Sequence, residues 1–183
     1  AIEETRHARH DMRHHLSILN SFVKRKDWAD LENYLSKMSK SIPSSELKLC
    51  ENNAIDGVAG HYYHRYKDLE IPCVFKLELP KELSVSEIDI CLVLSNLLEN
   101  ALEASMRTAP DKRRITVFAR MHSDNVVLIK VENFYNGVVK EKNGIFESSK
   151  HSGEGIGTQS VRRIAEKGGG YCRFTQKDGI FTA

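Results

Sequence analysis

The first 43 residues place the tightest limit on the fold, because their apolar side chains form seams too narrow to close a core. Met12, Leu16, Leu19 and Val23 recur at intervals of 4, 3 and 4, the spacing of a coiled-coil stripe. After Lys26-Asp27, the residues Trp28, Leu31, Leu35, Met38 and Ile42 recur at 3, 4, 3 and 4. The spacing predicts one helix over 2–25 and a second that stops at Pro43-Ser44-Ser45. A hairpin of this size buries too little apolar surface to stand alone. Pairing two hairpins into a four-helix bundle supplies the missing core. The segment therefore predicts a first domain over 1–45 that makes the protein a homodimer through residues 2–43.

A different texture begins near Leu47 and predicts a second domain over 46–183. Residues 53–68 read as a helix with Ile55, Val58, Ala59, Tyr62 and Tyr66 inward. Residues 71–79 alternate as a strand, and Ser86 is a candidate N-cap for a long helix reaching Met106. Strands are expected over 114–121 and 126–132, joined by Ser123-Asp124-Asn125. Residues 134–157 are polar and Gly-rich with no period, which predicts a loop. A helix over 158–167 follows, then a hairpin from Tyr171 around Asp178-Gly179. Helices with a mostly antiparallel sheet define an α+β class.

A net charge of +2 is too weak a field to recruit nucleic acid or an anionic membrane surface. None of the four Cys (Cys50, Cys73, Cys91, Cys172) pairs at C-x-x-C spacing, so reduced thiols in a cytoplasmic compartment are expected. The longest apolar run, 88–98, is broken by Asp89, Ser95 and Asn96, well short of the roughly 18 apolar residues that span a bilayer. The chain opens on Ala1 and closes on the strand-like Ile180-Phe181-Thr182-Ala183. Both ends are thus expected to be cuts from a longer protein, with any membrane attachment through an absent N-terminal sensor region.

Three segments carry chemistry. At about 100° per residue, His10 of Arg9-His10-Asp11 falls roughly 150° from the first seam and faces solvent. A neutral imidazole is a good nucleophile for a phosphoryl group, and an adjacent carboxylate can accept or orient its proton. Alone, the segment also reads as a polar face holding His7, His10, His14 and His15. His10 and His14 share the i, i+4 spacing of zinc ligands, but no third ligand is evident. In the long helix, Asn96, Glu99, Asn100 and Glu103 form one polar stripe opposite Cys91, Leu94, Leu98, Ala101 and Leu102. Asn competes for backbone hydrogen bonds inside a helix, so two of them suggest a task. Carboxamide oxygens suit Mg²⁺, which shares phosphate oxygens. Finally, Gly153-Glu154-Gly155-Ile156-Gly157-Thr158 leads into a helix, where bare backbone and a helix N-terminus favour phosphate. It is neither a Walker A loop, since no Gly-Lys-Ser/Thr follows, nor a Rossmann fingerprint, since no strand precedes it.

The order of these signals resembles histidine kinases with a GHKL ATP-binding domain, and within them the subgroup that includes peptide-pheromone sensors. The matching stretches are Arg9-His10-Asp11, Cys50-Glu51-Asn52-Asn53, the run from Asp89 to Ala104, Ser149-Lys150 and Gly155-Ile156-Gly157-Thr158. The resemblance implies a two-helix dimerisation hairpin followed by an α/β sandwich of the GHKL ATPase type. It also implies ATP and Mg²⁺ as ligands, and a response-regulator receiver domain as partner.

By the same resemblance, His10 matches the phosphoacceptor and Asp11 its acidic neighbour. Asn100 matches the Mg²⁺-binding Asn, with Asn96 beside the phosphates, and Glu99 sits where related ATPases place a general base. Gly153, Gly155 and Gly157 match the glycines that end the ATP lid, with Thr158 following, and Lys150 is placed to reach a phosphate. Two positions depart from the wider pattern. Asn133 takes the place of the Asp that reads adenine, as in the pheromone-sensing subgroup. His14 stands where many members place a Thr or Asn that supports dephosphorylation of the partner. A phosphotransfer scaffold with a degenerate nucleotide site, a GHKL ATPase and a protein serine kinase are the alternatives that the same residues leave open.

Overall fold

A computed structural model describes residues 2–38, 47–135, 141–142, 145–146 and 156–183, with side chains for 13–35, 47–135 and 157–183. The chain divides into two compact units, Ala1–Ser44 and Ser45–Ala183.

The first unit is a hairpin of α1 (Ile2–Arg25) and α2 (Trp28–Met38). Lys26 holds φ at 55° in the left-handed region. Its N–H donates to Val23 O, while the Asp27 N–H reaches Phe22 O, a Schellman closure that a non-glycine residue rarely makes. Asp27 then caps α2 by accepting from the Asp30 N–H at 3.3 Å. The helices meet through His15 Nδ1 and Tyr34 OH at 2.8 Å and through the Phe22 and Tyr34 rings, 5.8 Å apart. The expected seams are only partly covered within the hairpin. Leu19 and Leu31 are half-buried, but Leu16, Val23 and Trp28 stay 55%, 46% and 60% exposed.

In the second unit, α3 (Asn53–Asp68) and α4 (Glu87–Met106) cover one face of a five-stranded sheet. The strands are β1 (Cys73–Glu78), β2 (Ile115–Ser123), β3 (Val126–Phe134), β6 (Thr175–Lys177) and β7 (Ile180–Thr182), ordered β1-β2-β3-β7-β6. β1 runs parallel to β2, with α4 in the crossover, and every other pairing in this sheet is antiparallel. Alternation places Leu77, Ile115, Val117, Ala119 and Val131 inward, against Ile55, Ala59, Tyr66, Leu94, Leu98 and Leu102 of the helices. α4 begins where expected: the Ser86 hydroxyl accepts from the Asp89 N–H at 3.2 Å. No described helix is long and apolar enough to cross a membrane.

Three expectations need correction. The stretch 134–157 is not all loop: β4 (Glu141–Lys142) pairs antiparallel with β5 (Ile145–Phe146) in a separate two-stranded sheet. Helix α5 (Ile156–Lys167) starts two residues before Thr158, so Gly157 lies inside its first turn. Strand β6 starts at Thr175 rather than Tyr171, because its register opposite β7 reaches only Thr175 against Thr182. The expected turn is present, with positive φ at Asp178 (52°) and Gly179 (76°), as a two-residue hairpin demands.

Candidate functional site

The polar stripe of α4 divides among three surroundings. Asn96 turns its Nδ2 back to Leu92 O, 2.8 Å away. Glu99 faces α3, where Arg65 Nη1 lies 2.8 Å from its Oε2. Burial first, then the nearby Glu99 charge, pushes the Tyr62 pKa up to about 12. Asn100 faces α5. A Cβ built on Gly157 would sit 3.1 Å from both Nδ2 and Oδ1 of Asn100, so the carboxamide packs on bare backbone. Helices α4 and α5 run antiparallel there, with Lys167 Nζ 4.0 Å from Asp89 Oδ2 at the far end. Thr158 follows Gly157 in the same first turn and is half-buried.

Below α4, Asn133 sits near the end of β3, paired with Ile115 on one side and Phe181 on the other. It is a buried polar side chain. Its Nδ2 donates to Phe134 O at 3.0 Å. Thr108, just past α4, ties the two elements together by donating to Ala104 O at 2.9 Å and Phe134 O at 3.3 Å. The Ser105 hydroxyl is wholly buried and has no partner among the described residues. A buried polar atom left unpaired is costly and uncommon.

These features fit a Mg²⁺-nucleotide. A helix start beside a carboxamide, with no Cβ intervening at Gly157, suits phosphate oxygens. An Asn oxygen is a hard donor of the kind that Mg²⁺ accepts. The structure brings Asn100 against Gly157, next to Thr158; Asn96 and Glu99 share the stripe but turn to Leu92 O and to Arg65, and Asn133 lies on the sheet beneath α4. Lys150, Gly153 and Gly155 lie outside the described residues. His10 and Asp11 lie on the backbone of α1 in the other unit, and their side chains are outside the described set.

Sequence reasoning missed Arg65, Tyr62, Thr108 and Ser105. Only Ser105 carried a local signal, a hydroxyl on the apolar face of Leu94, Leu98 and Ala101. The Cys50-Glu51-Asn52-Asn53 match also gains a physical role. Asn52 is buried and caps α3, accepting from the Ala54 and Ile55 N–H groups at 3.1 Å each. Its Nδ2 donates to Lys81 O at 2.9 Å and Glu87 Oε1 at 2.6 Å. All four Cys are free thiols. Burial raises the pKa of Cys50, Cys73 and Cys91, which keeps them poor nucleophiles.

The GHKL domain family matches residues 85–183, more than half of the chain. The chain belongs to the GHKL domain family. Its fold is similar to that of the nucleotide-free catalytic domain of histidine kinase ThkA, at 20% identity and a TM-score of 0.50, over 70% of this chain and 87% of that one. It is also similar to the mycobacterial sensor histidine kinase MprB, at 19% identity and a TM-score of 0.51, over 70% of this chain and 89% of that one. At these identities the likeness establishes the α+β fold of such catalytic domains. No curated protein matches the chain.

Proposed function

We propose that the chain is the catalytic region of a two-component sensor histidine kinase. It binds Mg-ATP in the second unit, phosphorylates His10 on the first, and passes the phosphoryl group to an Asp of a response-regulator receiver domain. The observation that carries this reading is the Asn100 carboxamide packed on the first turn of α5 at Gly157. Asn100 is the residue to hold Mg²⁺, which when bound neutralises phosphate charge. Asn96 stands one turn earlier, beside the phosphates. Thr158 follows Gly157 in the same turn, and the family resemblance assigns Lys150, Gly153 and Gly155 to the same phosphates. With Asn133 Nδ2 engaged by Phe134 O, its Oδ1 is left to accept from the adenine amino group. A neutral acceptor makes this contact weaker than a carboxylate would, so phosphate contacts provide much of the affinity. At His10 the imidazole attacks, and Asp11 accepts or orients its proton.

Incubation with γ-labelled ATP tests the reading. The label is expected on the protein, acid-labile and mapped to His10. An acid-stable label, or one on another residue, would replace this reading with a protein serine kinase or a different phosphoacceptor.

The exposed apolar side chains on α1 and α2 support a homodimer through residues 2–43, with 1–45 as the dimerisation and phosphotransfer domain and 46–183 as the catalytic domain. Burying a Leu or Val side chain contributes about 1.5–3 kcal/mol. Leu16→Asp and Val23→Asp are each expected to raise the dimer dissociation constant about tenfold or more, read by sedimentation equilibrium. A wild-type chain that sediments as a monomer at micromolar concentration would contradict the assignment.

A further inference from the structure

A carboxylate beside an ATP γ-phosphate is a hazard in a kinase, because it can recruit water. Glu99 directly precedes Asn100, and adjacent residues on a helix point about 100° apart. Asn100 faces α5 and Gly157, whereas Glu99 faces α3 and meets Arg65 at 2.8 Å. Tyr62 and Arg65 are three residues apart, hence neighbours on one face of α3, and both address Glu99. Tyr66, one turn beyond Tyr62, is buried and donates its hydroxyl to Leu98 O at 2.8 Å. That bond pins α3 to α4 at the residue preceding Glu99, so the clamp is held in register. Nothing in the functional reading above uses Arg65 or Tyr62.

We infer that Arg65, assisted by Tyr62, is a positioning residue that holds the Glu99 carboxylate on α3, away from the γ-phosphate, and so favours phosphoryl transfer to histidine over transfer to water. The inference rests on the kinase reading and deepens it. In hydrolysis a water oxygen forms a bond to the γ-phosphorus as the bond to the bridging oxygen of ADP breaks. That oxygen leaves with the electron pair, and the water proton passes to a carboxylate. In transfer to histidine an imidazole nitrogen forms the new bond, and the same bond to ADP breaks. Only the first route needs a carboxylate aimed at water beside the phosphate. Held by Arg65 through Oε2, the Glu99 carboxylate is turned to α3.

The pair is partly exposed, with side-chain accessibilities of 45% and 38%, so it adds little to folding and can be removed without unfolding the chain. The full-length chain is used in a His10→Gln background, where transfer to that histidine is closed and released inorganic phosphate reports transfer to water alone. A positioned general base accelerates proton transfer by at least about 100-fold, and a freed Glu99 recovers part of that. Arg65→Ala is expected to raise Mg-ATP-dependent phosphate release about tenfold, with nucleotide affinity little changed. Arg65→Lys keeps the charge and is expected to stay near the parent rate. Adding Glu99→Gln to Arg65→Ala is expected to return the rate to the parent level, which a merely structural role for Arg65 would not do. Tyr62→Phe is expected to raise release in the same direction by less, and it keeps the proposal testable if Arg65→Ala misfolds. Mg-ATP binding is measured in parallel by titration calorimetry. Binding retained with unchanged release in Arg65→Ala, or a rise that survives Glu99→Gln, overturns the clamp alone. A wild-type chain that binds no Mg-ATP overturns the kinase reading and this inference with it.

Discussion

Gly157→Val is expected to abolish measurable Mg-ATP binding while the fold keeps its thermal stability. A Cβ at this position meets both polar atoms of the Asn100 carboxamide at 3.1 Å. That is closer than carbon normally approaches nitrogen or oxygen, so Asn100 must swing aside by a few tenths of an ångström. Valine adds two methyl groups to the same gap. The first turn of α5 also loses its bare approach for phosphate oxygens. A hydrogen bond to a charged group contributes about 1.5–3 kcal/mol, so losing one or two weakens binding by roughly 10- to 10,000-fold. The backbone effect runs the other way, since glycine is about 1 kcal/mol poorer than alanine within a helix. Gly157→Ala should thus show the conflict at smaller scale, with binding about tenfold weaker and an unchanged or slightly raised melting temperature. Nucleotide titration beside thermal melting separates the two quantities. Unaltered affinity in Gly157→Val would remove the α5 start from the site.

Asn52→Ala should destabilise the second unit more than any comparable change at the surface. Asn52 uses its carboxamide in full: two N–H groups of α3 donate to it, and it donates to Lys81 O and Glu87. Losing an N-cap costs about 1 kcal/mol. Stranding the Lys81 carbonyl adds about 1–2 kcal/mol; Glu87 is exposed and can turn to water. The expected total of about 2–3 kcal/mol corresponds to a fall of roughly 1 M in the urea midpoint. Asn52→Asp is the sharper probe. It keeps the cap acceptor and the shape, but sets a carboxylate against Glu87 Oε1, where 2.6 Å now separates donor from acceptor. It should therefore gain little over alanine. A midpoint within 0.3 M of wild type for both variants, as a rough threshold, would show that Asn52 is dispensable.

Local signals in the sequence located the elements but not their partners. Ser86 announced α4 because N-cap chemistry is local, and Asp178-Gly179 announced the last hairpin because a two-residue turn needs positive φ. The stripe of Asn96, Glu99, Asn100 and Glu103 was legible as a period. Its division between α3 and α5 was not, since it depends on which helices flank α4. Arg65 looked like an ordinary charge in the last turn of α3. The hairpin seams were legible as stripes, but period alone did not say which side chains meet within the chain. His15 and Tyr34 meet there, and Leu16, Val23 and Trp28 face outward. The β4–β5 pair escaped notice because two-residue strands leave no alternation to read.

The parallel pairing of β1 with β2 has a consequence for the order in which the second unit assembles. β2 and β3 are joined by a short turn, with Ser123 opposite Val126, and such a hairpin closes in microseconds. β1 must wait, since Cys73 pairs with Ile115, 42 positions later, across the whole of α4. Closing so long a loop carries an entropy penalty that local pairing avoids. β1 is also an edge strand, with one neighbour instead of two. β1 is therefore late to dock and prone to open at its edge, whereas α3 packs mainly on α4, where the Tyr66 hydroxyl donates to Leu98 O. Amide exchange should be faster along β1 than in β2 and β3. Opening of β1 alone would leave α3 seated on α4, so the grip of Arg65 on Glu99 outlasts the strand that pairs last.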